Sequence, residues 1–300
     1  MYEPDPRHVE IVVRELGLQD SKSVVSPGVK RPQVLDEDNK HLEPALATKF
    51  RQIIARCNFL CQDRPDIVYA CKEAARGMAN PRMEDWEKLI RIGKYLKGRP
   101  RYVIMYKPQR DVYAVNAFGD SDFAGEVDTR KSTSGRMICM GDHIIKAWSR
   151  TQTVIALSPG EAELYALNKA SAQGLGLQSL LSVLGIDLEV RVHTDATTGR
   201  AIVTRRGLGK VRHIAVNELW MQEKVANNQV SIHKIKNKFN LADLMTKYLS
   251  KDEIEQIMDF MQHVFMDGRH KDAPELSLVN DSAIPSREER EAIMAERQST

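Results

Sequence analysis

Cysteine is scarce: Cys57, Cys61, Cys71 and Cys139 are the four in 300 residues. So sparse a set in so long a chain, with no secretory signal ahead of it, excludes a disulfide-stapled scaffold. No His or Cys pair near Cys57 and Cys61 completes a zinc set, so these thiols are expected to be reduced core residues. Long apolar runs are missing as well. None approaches the roughly 18 to 20 residues of a membrane span, and the acidic, proline-containing opening is no signal peptide, so the expectation is an intracellular protein without a membrane partner. Excess charge is also lacking. With 44 Lys and Arg against 41 Asp and Glu the net charge is +3, and any nucleic-acid surface has to be a local patch. Aromatic residues make up only 6% of the chain, yet the 42% hydrophobic content suffices for a packed core in one or two domains.

What the chain does have is a series of carboxylates at the ends of structural elements. Residues 112–119 carry the β-branched and aromatic content of a strand, which ends on Asp120. Past it come Asp122, Glu126 and Asp128, then Arg130, Lys131 and a polar, turn-rich stretch over 132–135. A strand-end carboxylate can hold a metal, and a solvated acidic loop explains it equally well. Ser158, Pro159 and Glu161 read as a helix start, with Ser158 as N-cap, Pro159 at the first position and Glu161 completing a capping box. Glu163 shares a helical face with Leu167 and Ala170, positions that should be packed. An unpaired buried charge is costly, so Glu163 requires either a neighbouring Arg or Lys or a metal, and periodicity leaves both open. Leu188, Val190, Val192 and Thr194 alternate along a strand that ends on Asp195, which either caps the helix expected over 197–204 or serves chemistry. Asn240 and Asp243 likewise read as a helix cap pair.

A basic cluster of Arg205, Arg206, Lys210, Arg212 and His213 follows the third acid, interrupted by Gly207 and Gly209. Such runs are often solvated loops. Here the glycines would let backbone N–H groups approach phosphates, and the cluster is expected near the strand ends that hold the acids. Elsewhere the pattern is structural. Residues 1–44 read as an extended tether after a short helix near 9–18. Three amphipathic helices come next, with stripes through Phe50, Ile53, Ile54, Cys57 and Cys61, then Val68, Cys71, Ala75 and Met78, then Trp86, Leu89, Ile90, Gly93 and Leu96. A hairpin turns at Gly141-Asp142. One more helix is expected over 254–265, then a mobile polar tail with a terminal helix.

Four strings, DSDFAGEVDTRKSTSG, ALSPGEAELYAL, VHTDATTGRAI and FNLADLMTKYLS, resemble in order the signatures of the ribonuclease H domain that closes the Pol polyprotein of copia-type LTR retrotransposons. Upstream, DRPDIVYA and DWEKLIRIGKYLKG are similar to that family's reverse-transcriptase thumb and connection, and YEPDPRHVEIVVRELGL to the segment after the polymerase palm. The string VRHIAVN resembles a further family motif, except that Ala215 stands where the family usually has Asp. The resemblance covers residues 45–250 and implies an α/β fold: a ribonuclease H-like mixed five-stranded sheet flanked by helices, preceded by a small helical thumb/connection region. The implied divisions are 1–44 as tether, 45–108 as helical remnant, 109–250 as ribonuclease H-like domain and 251–300 as helix and tail.

The resemblance further implies Asp120, Glu163, Asp195 and Asp243 as catalytic metal ligands for two Mg²⁺ ions, with Mn²⁺ as a substitute. Asp120 would bridge the ions, Asp243 would serve the nucleophile side, and Glu163 and Asp195 the leaving-group side, in two-metal hydrolysis of the RNA strand of an RNA/DNA hybrid. Lys131, Arg205, Arg206, Lys210, Arg212 and His213 are then candidates for substrate contact. Palm and fingers would come from a longer polyprotein; no Tyr-x-Asp-Asp motif occurs here, so polymerase activity is not expected of this chain by itself. Two other readings compete: a catalytically inactive nucleic-acid-binding Pol relic, and a helical interaction module on residues 45–100 that exposes an apolar face.

Overall fold

The computed structural model describes residues 1–30, 39–209 and 213–276. Four helices come first: α1 (Pro6–Glu15), α2 (Pro44–Leu60), α3 (Val68–Ala75) and α4 (Met83–Gly98). Asp5 starts α1 by accepting the Arg7 N–H at 2.9 Å, ahead of a proline at the first helical position. Val9 and Val12 of α1 are buried with Phe50 and Ile54 of α2 and Leu89 and Leu96 of α4. The short helix expected near 9–18 is thus present as α1, docked on α2 and α4 by its apolar face, and in the stretch that follows it Leu18, Ser26, Pro27 and Gly28 are buried. Residues 31–38 lie outside the described residues. The faces of α2, α3 and α4 cover one another and α1, which removes the open apolar face that an interaction module on residues 45–100 would need.

Pro65 opens a 3-10 turn, Pro65–Ile67, that runs into α3. Just before it, the Arg64 guanidinium is fully enclosed and pairs with Asp66 at 2.7 Å, and Tyr95 donates to the same carboxylate at 2.9 Å. Removing either partner would strand a buried charge, so this pair fixes the start of α3 against α4. Cys57 and Cys71 are buried, Cys61 is half-buried, and all four cysteines are free thiols, as expected.

The rest of the chain runs β1 (Arg101–Ile104), β2 (Ala114–Ser121), β3 (Thr133–Met140), β4 (His143–Thr151), α5 (Pro159–Val183), β5 (Glu189–Thr194), α6 (Thr197–Thr204), α7 (Trp220–Ala226), β6 (Ser231–Lys234), α8 (Lys251–Phe260) and β7 (His263–Met266). Five strands form one mixed sheet in the order β4-β3-β2-β5-β6, antiparallel from β4 to β2 and parallel from β2 to β6. This is the mixed, helix-flanked sheet that the resemblance implies. The hairpin turns at Gly141, whose positive φ of 60° suits glycine. Helix α5 covers one face, packing Leu164, Leu167 and Ala170 on Val115, Ala117, Val190 and Val192. On the other face Phe118, Met137 and Cys139 meet Leu241, Leu244, Met245 and the Ile254, Ile257 and Met258 side of α8; Val68 of α3 and Tyr102 and Ile104 of β1 complete that cluster.

Two expectations fail in instructive ways. The polar stretch 132–135 is no turn: Ser132, Thr133 and Ser134 are buried, and β3 begins at Thr133 between β2 and β4. Gly135 is required there, since a Cβ would sit 2.6 Å from Met245 Cβ and 2.7 Å from the Ala242 carbonyl oxygen. The helix expected to reach residue 265 stops at Phe260, and β7 pairs antiparallel with β1 in a separate two-stranded ribbon, Arg101 opposite Met266 and Ile104 opposite His263. Helical and strand periodicities overlap in so short an apolar run, and the partner strand decides. The tail helix expected past residue 276 lies outside the described residues. Among the described residues, no helix is long and apolar enough to cross a membrane.

Candidate metal centre

Strands β2 and β5 are parallel neighbours whose C-terminal ends lie side by side, which sets Asp120, paired with Gly135 across β3, next to Asp195. Asp243 arrives from the opposite direction on a 3-10 turn, Leu241–Met245, started by Asn240, whose Oδ1 accepts the Ala242 N–H at 3.3 Å. One oxygen from each of Asp120, Asp195 and Asp243 lies within 4.8 Å of the other two. Glu163 does not join this three-oxygen group. It stands beside it on α5, and its Oε1 accepts from the Ser121 N–H at 3.3 Å and the Ser121 hydroxyl at 3.1 Å.

Asn240 does cap the turn that carries Asp243, as expected, but the bland explanations for Asp195 and Glu163 do not hold geometrically. Asp195 does not cap α6, whose N-cap is Ala196; instead its Oδ1 accepts from Asn240 Nδ2 at 3.0 Å. Glu163 has no Arg or Lys partner among the described residues, and its Oε2 is enclosed and accepts nothing. Asp243 Oδ1 is enclosed and unpartnered in the same way. Glu161, by contrast, is structural, though not as the full capping box expected. Ser158 Oγ accepts the Glu161 N–H, but the Glu161 carboxylate accepts from the Leu157 N–H at 2.9 Å, the Tyr165 hydroxyl at 2.7 Å and His213 Nε2 at 2.8 Å.

Burial, and then the neighbouring Asp243 charge, pushes the Asp120 carboxyl up to about 7, against a hydroxyl bond from Thr246 that works the other way. Burial and Asp120 push Glu163 up to about 8. Burial also raises Asp243, opposed by Lys247, whose ammonium lies 2.8 Å from Asp243 Oδ2. Carboxyls held as far above their usual range as Asp120 and Glu163 have too little positive charge around them. Two enclosed oxygens without donors among the described residues, an all-oxygen ligand set and clustered like charges together fit a hard divalent cation, with Asp120, Asp195 and Asp243 as its holders and Glu163 at hand.

Of the described members of the basic cluster, Arg205 stands away from the acids. Arg205 ends α6, and that helix's eight residues, about 12 Å of rise, separate it from the Asp195 end. Its guanidinium donates to the Leu208 carbonyl, and the Gly207 N–H is taken by Gln222 Oε1 at 2.8 Å, so that glycine serves the turn. Arg206 is exposed, Lys131 is half-exposed on the β2–β3 loop, and His213 is tied to Glu161. Lys210 and Arg212 lie outside the described residues.

A different cationic group escaped the sequence reading. Arg136 on β3 is 6% exposed, has no acidic partner among the described residues, and packs 5.0 Å from the Trp148 ring of β4, over which Lys146 also lies at 5.3 Å. Burial and the like charge of Arg150 depress its guanidinium to about 10. The signal was available in the alternation of residues 146, 148 and 150 along an edge strand. Also unread were Thr246 and Lys247, three and four residues past Asp243, the spacing that turns a side chain back toward it.

No family model matches the chain. Over 235 residues, 77% of its length, it is 28% identical to the retrovirus-related Pol polyprotein from transposon RE2 of Arabidopsis thaliana, of which this stretch covers 16%. With the corresponding polyprotein from transposon RE1 of the same plant it shares 27% identity over 249 residues, 82% of this chain and 17% of that one. The chain thus spans about a sixth of the length of these curated relatives. Among solved structures, ribonuclease H1 of Halobacterium salinarum aligns with a TM-score of 0.29 and 16% identity, covering 44% of this chain and 94% of that protein.

Proposed function

We propose that this chain, a homologue of the Pol polyproteins of copia-like transposons, is a ribonuclease H that hydrolyses the RNA strand of RNA/DNA hybrids with the help of magnesium. The observation that carries this reading is the meeting of Asp120, Asp195 and Asp243 at one end of the sheet, with Glu163 beside them and two enclosed carboxylate oxygens left without donors. Two magnesium ions bound there would supply nucleophile activation and charge stabilisation at the scissile phosphate. The chain's own part is to hold those carboxylates in place. Ser121 fixes Glu163, Asn240 fixes Asp195, and Thr246 fixes Asp120, so each is oriented before any ligand arrives.

Substrate selectivity would come from the 2′-hydroxyls of the RNA strand and from phosphate contacts. Lys131, Arg206 and His213 remain candidates for the latter, and Arg136 with Lys146 and Arg150 is added to them. Two cations already lie over the Trp148 ring, so this patch suits a phosphate better than a stacked base. Arg136→Gln is expected to weaken hybrid binding roughly threefold to tenfold and to reduce the salt dependence by about one phosphate contact. Fluorescence anisotropy at several salt concentrations checks it; an unchanged slope removes Arg136 from the interface.

The direct test of the function is cleavage of an end-labelled RNA annealed to DNA in the presence of magnesium. Cleavage confined to the RNA strand supports the nuclease. Binding of the hybrid without cleavage would leave the inactive relic as the better description.

A further inference from the structure

The segment that closes the site brings three donors as well as one acid. Asn240 Nδ2 donates to Asp195 Oδ1 at 3.0 Å, Thr246 Oγ1 to Asp120 Oδ2, and Lys247 Nζ to Asp243 Oδ2 at 2.8 Å. Among the described residues each clustered carboxylate therefore has one side-chain donor, and all three donors lie within residues 240–247. They are not equivalent. Asn240 and Thr246 are neutral and buried, and they orient an oxygen without adding charge. Lys247 is a full positive charge on a long stem, and its side chain is 45% exposed, so it can swing into solvent.

Resting on the metal-centre reading of the acids, we propose that Lys247 is the internal counter-ion of the metal-free site and that it sets the divalent-ion affinity. With no ion bound, its ammonium neutralises part of a cluster that would otherwise repel itself. Asp243 Oδ1 is enclosed and unpartnered among the described residues, and the Lys247 ammonium on Oδ2 would oppose at like charge any cation held there. Lys247 must turn away or tolerate that repulsion, and either course weakens binding. The same side chain therefore keeps the carboxylates assembled before loading and makes the loaded state reversible. Thr246, which touches Asp120 without charge, is a positioning residue in the same segment and should not share this effect.

Titration calorimetry with Mg²⁺ and with Mn²⁺ tests this on the full chain, comparing the native protein with Lys247→Met, Lys247→Gln, Lys247→Arg and Thr246→Ser. The two neutral Lys247 variants are expected to bind the ions roughly tenfold more tightly, the size of one like-charge interaction at a partly exposed site, and to melt lower than the native protein without divalent ions. Lys247→Arg and Thr246→Ser should stay close to native affinity. A neutral variant with native circular dichroism that binds the ions no more tightly than the native protein overturns the role of Lys247 and leaves the metal centre standing. A native protein that takes up neither ion overturns both. Since loss of a merely structural contact would not tighten metal binding, the direction of the change is decisive, and the two neutral variants guard against one of them misfolding.

Discussion

Asp120→Asn is expected to leave a folded protein that cuts an RNA/DNA hybrid roughly a thousandfold or more slowly and melts at a higher temperature than the native chain near pH 8 without divalent ions. The loss of cleavage follows from its place in one group with Asp195 and Asp243, where a neutral amide cannot draw a cation into the cluster. The gain in stability follows from proton linkage. The Asp120 carboxyl ionises near 7 in the folded chain, against an ordinary value of 3.8, chiefly because it is buried and faces Asp243. A folded value above the unfolded one means that the folded state binds the proton more tightly, so its stabilising contribution is complete below about pH 4 and disappears as the pH rises through 7. Glu163 acts in the same sense up to about 8. Metal-free native protein should therefore lose stability steadily between about pH 4 and 8, with Asp120 accounting for a few kcal/mol, or several degrees of melting temperature in a chain of this size. The amide titrates nowhere in this range, keeps an oxygen for the Thr246 hydroxyl, and should flatten that decline. Added Mg²⁺ should raise the native melting point at about pH 8 far more than at about pH 5.5, because protons compete for the same oxygens. Scanning calorimetry with and without a chelator checks all of this. A variant that melts lower than the native chain at the higher pH would contradict the electrostatic account of the site.

Excising residues 109–250, the span that the motifs bracket, is expected to give a protein without a cooperative melt. The core on the Asp120 face of the sheet is not closed by that span. Val68, Tyr102 and Ile104 reach it from upstream, and Ile254, Ile257, Met258 and Met261 from downstream. Fully burying a large apolar side chain contributes roughly 1.5–3 kcal/mol, and several lost together match the whole net stability of an ordinary domain, about 5–15 kcal/mol. Polar ties are cut as well: Lys72 donates to Thr133 Oγ1 at 2.7 Å, and Arg76 pairs with Glu126. Residues 1–276 should melt cooperatively, whereas 109–250 should bind hydrophobic dyes and show little near-ultraviolet dichroism. A sharp transition in the excised span, within a few degrees of the longer chain, would show that the helices are an appendage after all.

The outline of the site was legible because Asp120, Asp195 and Asp243 sit where elements end or begin and ends carry local signals, while Glu163 stood out as a charge on a packed helical face. Strand alternation stopping at Asp195 and a helix starting at Ser158 were both visible in composition and spacing. The resemblance supplied their grouping, which no local pattern encodes. What stayed hidden depends on partners distant in sequence. His263 to Met266 became a strand only because Arg101 to Ile104 lies alongside, and Ser132 to Ser134 read as a turn because their burial between two strands is a tertiary fact. The donors had the right spacing, but Thr246 and Lys247 acquire meaning only once Asp120 is known to be across from them. Arg136 was missed for a related reason: a cation inside a strand is noticed when its surroundings are seen to contain no acid.

The ribbon made by β1 and β7 has a mechanical consequence. The strand leading into the five-stranded sheet and the strand leading out of it are hydrogen-bonded to each other, and Arg101 and Met266, at its outer end, face one another. Tension applied between those two residues would part the ribbon one residue pair at a time, as a zipper opens, instead of shearing all its bonds at once. Residues between 105 and 262 would bear load only through the buried Tyr102 and Ile104 side chains until the last ladder pair, Ile104 and His263, had let go. A chain pulled from these two points, by a neighbouring domain or by a translocating machine, would yield first at this clasp with its five-stranded sheet still intact.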